Sequence, residues 1–154
     1  MKKILIVLFS FILLVCGCSK EEIDVETKNY NNYLNEIKKV EKSSASIPFD
    51  VRFDYERLNE KELRYKVIID NVKEDIYDIE ALAYHDKETN DIYPSIGIFD
   101  KKEKLEVGKK PSGIILYGFI KYDGDISDFK CKVKVLIKYK NKDNKNKKVY
   151  FVTN

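Results

Sequence analysis

The sequence predicts a mainly β domain of two packed antiparallel sheets, on three observations. From Phe49 onward, apolar residues alternate with charged or polar ones at a period of two, the pattern of a strand with one buried face. Clusters of Asp, Asn and Gly interrupt that alternation at short intervals. No long helical pattern lies between the clusters, so sheet must pack on sheet.

The chain opens with Lys2 and Lys3, an apolar run from Ile4 to Val15, and a small residue before a cysteine. These are the three parts of an export signal. The run is well short of the roughly twenty residues that cross a hydrocarbon core, so a permanent span is not expected. Val15-Cys16-Gly17-Cys18, after Leu14, resembles the lipobox of bacterial lipoproteins. The resemblance implies removal of residues 1–17, acylation of Cys18 by chains such as palmitate, and a mature protein on the extracytoplasmic face of the cell membrane. Cys16 fits less well because the branched Val15 precedes it. Two or more acyl chains hold a protein stably where one does not, so the lipid on Cys18 sets where everything downstream works. The type of bacterial envelope is left open.

Residues 18–46 read as a tether. Ile23, Tyr30, Tyr33, Leu34, Ile37 and Val40 recur at helical spacings among Glu, Lys and Asn. A helix or partly ordered stalk is expected, docked loosely on the domain or lying on the membrane. Fully helical and upright, it would hold the domain about 40 Å from its anchor. Ser43-Ser44-Ala45-Ser46 breaks the pattern and Pro48 disfavours helix at Ile47, placing the boundary near residue 46.

Residues 47–154 carry the strands. Phe49, Val51, Phe53 and Tyr55 alternate with Asp50, Arg52, Asp54 and Glu56, and Leu63, Tyr65, Val67 and Ile69 repeat the device. The longest alternation sets Phe129, Cys131, Val133, Val135, Ile137 and Tyr139 against Lys130, Lys132, Lys134, Lys138 and Lys140. Weaker strands are expected at 77–85, 92–99, 105–107, 114–122 and 148–152. Seven or eight short strands with these turns predict an immunoglobulin-like β-sandwich, with a small barrel or an α+β domain as the alternative. The order Val67-Ile68-Ile69-Asp70-Asn71, Ile79 to Asp86, then Leu105-Glu106-Val107-Gly108 is similar to the FxLYD-like sandwich domains of bacterial lipoproteins, although the initial Phe is missing and His85 is inserted before Asp86. That resemblance implies a binding or spacer module with no catalytic residues.

The chemistry points the same way. Without Lys2 and Lys3 the chain has 27 basic residues against 26 acidic ones, so its charge implies no nucleic-acid partner. Once Cys16 leaves and Cys18 is acylated, Cys131 stands alone and no intrachain disulfide can form. His85 is the only histidine and reads as a surface residue at a strand end; Cys131 reads as an inert core thiol. One His and one thiol do not make a tetrahedral zinc site, so no metal or cofactor is expected. Asp123, Asp125 and Asp128 read as a turn rather than a calcium loop.

Charge is unevenly spread. Residues 129–150 hold nine lysines and one acid, whereas 49–80 hold ten acids and six bases. The stripe Lys130, Lys132, Lys134, Lys138 and Lys140 is a candidate for anionic lipid or wall polymer. As a solvated face it would instead guard a sheet edge. The expected function is a non-enzymatic binding or spacer module at the cell envelope, with the membrane and an envelope protein or anionic polymer as partners. Its alternative is an envelope enzyme with a carboxylate-based site. The oligomeric state is left open.

Overall fold

The computed structural model describes residues 20–89 and 91–153, with side chains from residue 25. Leu14 to Cys18 lies outside the described residues. Among the described residues the chain forms one α-helix, α1 (Lys20–Lys38), and eight strands: β1 (Asp50–Asn59), β2 (Glu62–Asp70), β3 (Ile76–His85), β4 (Ser95–Ile96), β5 (Glu103–Leu105), β6 (Gly113–Lys121), β7 (Val133–Asn141) and β8 (Asn146–Val152). Among the described residues, no helix is long and apolar enough to cross a membrane.

One antiparallel sheet has the order β1-β2-β6 and the other the order β4-β3-β7-β8, with β5 also on β3. The first, second and sixth strands thus face the third, seventh and eighth, the connectivity of an immunoglobulin-like sandwich. Alternation sets the facing surfaces. Leu63, Tyr65, Val67 and Ile69 of β2 are all buried, in one core with Ile79, Ala81 and Ala83 of β3 and Val133, Val135 and Ile137 of β7. Asparagine side chains shape both hairpins. Asn59 Oδ1 accepts from Lys61 N at 2.9 Å, and Asn141 Oδ1 accepts from Lys145 N at 2.9 Å.

Two expected strands are shorter than the alternation suggests. At 92–99 only Ser95 and Ile96 pair, because Pro94 has no N–H to donate and Gly97 turns the chain away with a φ of 71°. The alternation that begins at Phe129 joins the ladder only from Val133: residues 129–132 are irregular and follow a 3-10 turn, Ile126–Asp128, capped by Asp125 through Ser127 N at 2.9 Å. Asp86 Oδ1 then accepts from Lys132 N at 3.2 Å, so a carboxylate stands where a neighbouring strand would be.

Helix α1 is packed along the sandwich as a third layer, not extended as a stalk. Tyr30, Tyr33 and Ile37 share one face at spacings of three and four and are buried with Leu82 of β3, Leu136 of β7 and Ile98. The Tyr33 hydroxyl donates to Glu80, and the Tyr30 hydroxyl oxygen accepts from Tyr93 N at 3.0 Å. After the helix, the serine segment runs beside β8. Ser44 N donates to Tyr150 O at 2.8 Å, while the Ser44 and Ser43 hydroxyl oxygens accept from Tyr150 N and Val152 N, each at 2.9 Å. The residues that break the helical pattern therefore seal a sheet edge.

Candidate functional site

Three lysines of the stripe, Lys132, Lys134 and Lys138, meet the helix and the linker after it. Lys134 is only 7% exposed, and its Nζ donates to Lys38 O at 2.9 Å, a carbonyl at the negative end of the helix dipole. Lys134 and Lys132 both pair with Glu41, at 3.2 and 3.1 Å. Lys138 lies 3.6 Å from the centre of the Tyr33 ring and 3.7 Å from Glu36. Glu36 also accepts from Lys148 and from the Tyr150 hydroxyl, both at 2.6 Å. Burial raises the Glu36 pKa, but these hydrogen bonds and the charges of Lys148 and Lys138 outweigh it, so the carboxyl titrates below its ordinary range. Lys140 pairs with Asp78 at 2.8 Å. Of the five candidate lysines, only Lys130 makes no ion pair among the described residues. Lys132, Lys134 and Lys138 thus form a seam that holds the helix and linker on the sheet. Leu136 is the sequence signal for this: an apolar residue within the lysine register marks a face covered by another layer.

Two of the concavities hold Cys131 and His85. The larger, about 780 Å³, has Phe53, Tyr55, Phe129 and Cys131 among its walls and Lys130 and Lys132 at its rim. Its carboxylates are already engaged, Glu41 by Lys132 and Lys134 and Asp86 by Lys132 N. Asp86 Oδ1 accepts from Lys132 N and lies 3.6 Å from Cys131 Sγ. Burial and the Asp86 carboxylate push the half-buried Cys131 thiol up to about 12, so it is a poor nucleophile at neutral pH.

The smaller cleft, about 270 Å³, differs in kind. It lies between the middle of β6 and the loop leading into β4, walled by Ile92, Tyr93, Tyr117 and Phe119 over Tyr65 and His85. Its rim is open and mostly apolar, with Thr89 and Asp91 on the loop side: Ile92 is 76% exposed, and Tyr117 and Phe119 are exposed beside Ile115 on the same face of β6. Its floor is polar and sealed. His85 is 1% exposed, in phase with Ala81 and Ala83 on the inward side of β3, which corrects the expected surface position. The His85 ring meets Tyr65 and Tyr93 edge-on at 5.3 and 5.1 Å. Among the described residues, His85 Nδ1 and the Tyr65 hydroxyl are both buried without a hydrogen-bond partner. Each such atom costs about 1–3 kcal/mol until something pairs with it. Gly118, opposite Tyr65 in the β2–β6 register, makes the floor possible: a Cβ there would lie 2.4 Å from the Tyr65 ring.

His85 stays neutral in this setting. Burial pushes its pKa below the ordinary histidine value, while a hydrogen bond to the Lys87 backbone and the charge of Asp86 oppose the shift without cancelling it. The unfolded chain takes up this proton near a pH of about 6.5. The folded chain takes it up only at lower pH, so the contribution present above that value is lost as pH falls below it. The urea midpoint is therefore expected to drop between pH about 7 and about 5, and His85→Phe to flatten that stretch. A wild-type midpoint that stays level over this range would contradict the assignment.

No known protein family and no curated protein matches the chain. Among solved structures it is similar to the crystal structure of Spo0M, the sporulation control protein from Bacillus subtilis, at 14% identity over 70% of this chain, with a TM-score of 0.22. The chain spans about half the length of that structure, 49%. A similarity of that degree carries no argument about this protein.

Proposed function

We propose that this protein is a lipid-anchored, extracytoplasmic binding module of the bacterial envelope, non-enzymatic, with the cleft beside β6 as its recognition surface. The observation that carries the anchor is Val15-Cys16-Gly17-Cys18 behind a basic and apolar leader. The similarity in strand order to FxLYD-like lipoprotein domains is consistent with a binding role. The cleft supports recognition because exposed apolar side chains surround a few fixed polar groups, as in binding pockets generally. The reactive side chains give catalysis little support: His85 is a sealed neutral base and Cys131 a protonated thiol.

With Cys18 as the lipidated residue, α1 begins two positions after the anchor. Tyr30 is the first residue of α1 buried among those whose side chains are described. The body of the domain would then sit about 15 Å of helix from its lipid, well inside the reach of an upright stalk. Cys18→Ala should abolish incorporation of labelled palmitate and lower the membrane-bound fraction by more than about tenfold, whereas Cys16→Ser should keep both. A Cys18→Ala protein that still sediments with membranes would overturn the anchor.

A further inference from the structure

We propose that the open edge of β6 takes up an extended peptide strand from another protein, and that the cleft accepts an Asn or Gln side chain of that strand between Tyr65 and His85. The proposal builds on the binding-module reading and names its partner class.

The first observation is the edge itself. β6 runs from Gly113 to Lys121, pairs among the described residues only with β2, and has neither proline nor a charge before its last residue. Such an edge offers a row of main-chain donors and acceptors to any added strand. The other long edges are protected. Ser43 and Ser44 cap β8, and β1 carries Arg52, Asp54, Glu56 and Arg57. β4 and β5 are two and three residues long.

The second observation, independent of the first, is the pair of unpartnered atoms in the floor. The added residue opposite Gly118 would point inward over the one mid-strand position of β6 that lacks a side chain, while its two neighbours would point outward beside Tyr117 and Phe119. Neutral His85, in the tautomer protonated at Nε2, offers its unpartnered Nδ1 as an acceptor. Burial pushes the Tyr65 pKa upward, so its hydroxyl keeps its proton and can donate. A primary amide carries an N–H donor and a carbonyl acceptor on one carbon, the complement of this acceptor and this donor. A carboxylate has no donor for Nδ1, and an aliphatic side chain pairs with neither. The entering amide displaces the half-buried Tyr93 ring that closes the cleft against His85.

A second copy of this chain fits the edge less well. Two β6 strands paired antiparallel about Tyr117 would set Leu116 of one opposite Gly118 of the other and leave both floor atoms unpaired.

The test uses the full mature chain in detergent and short capped peptides of alternating Thr and Val with Gln, Leu or Glu at an inward central position, read by fluorescence anisotropy. The Gln peptide should bind about tenfold more tightly than the Leu or Glu peptide, the scale of one or two buried hydrogen bonds. Tyr65→Phe keeps the ring and should erase most of the preference for Gln. Phe119→Lys, an exposed rim change, should weaken every peptide. N-methylation of the peptide amides that face β6 should abolish binding. Equal affinity for Gln and Leu peptides, or a preference that survives Tyr65→Phe, would overturn the proposal. A reversible dimer that Ile115→Lys dissolves and that no peptide displaces would assign the edge to self-association and overturn it as well. Anchoring is read separately by membrane fractionation, so failure here leaves the Cys18 result standing.

Discussion

Ile37→Ala, in the helix before the sandwich, is expected to destabilise the whole domain as strongly as a change between the two sheets. Ile37 is fully buried and packs in the cluster of Tyr30, Tyr33, Leu82, Ile98 and Leu136. Truncating such a side chain costs about 2–5 kcal/mol, the lost transfer energy plus the cavity left behind. The loss should appear as a lower urea midpoint with an unchanged slope, because helix and sheets unfold together. Val25→Ala, at an exposed position of the same helix, should change stability by less than about 0.5 kcal/mol. If α1 were a loosely attached tether, Ile37→Ala would leave the main transition where it is, and that outcome would remove the third layer from the account.

Gly97→Ala is expected to be the most damaging exchange for the smallest added volume. Gly97 has φ 71°, a conformation that costs other residues about 1–3 kcal/mol. An added Cβ would also lie 2.2 Å from Ile79 O, a backbone atom of β3 at the centre of its sheet. Neither atom can move without breaking the β3–β4 pairing of Ala81 with Ile96. Gly108 supplies the control. It has the same φ of 71° with nothing within 4 Å of a Cβ, so Gly108→Ala should show the conformational term alone. The midpoint shift of Gly97→Ala should be at least about twice that of Gly108→Ala. Equal shifts would mean that the contact with Ile79 relaxes freely.

The sandwich was legible because its alternation is clean where both sheets face the core. Leu63, Tyr65, Val67 and Ile69 point inward as the period requires. Other features were hidden in the same register. Leu136 sits among lysines on the outer face of β7, and Leu82 lies outside Ala81 and Ala83 on β3; both lie beneath the helix. A period of two separates faces, but it does not say which face meets water and which meets another layer. His85 was misplaced for a related reason. Its phase with Ala81 and Ala83 predicts an inward side chain, yet a polar residue at a strand end reads as exposed. Its ring meets Tyr65 of β2 across the sandwich, and the β2–β6 register sets Tyr65 beside Gly118, where no side chain covers it. Those relations join residues far apart in the chain, so local spacing does not reveal them.

The serine seal on β8 has a bearing on stoichiometry. Sheets grow into fibres when every unit has two receptive edges, one to bind and one to be bound. Here hydroxyls close one end of the five-stranded sheet, and alternating charges on β1 guard the far side of the three-stranded one. A strand that joins β6 therefore ends the series instead of extending it. Even crowded on a membrane, the protein would saturate at one bound strand per molecule rather than polymerise.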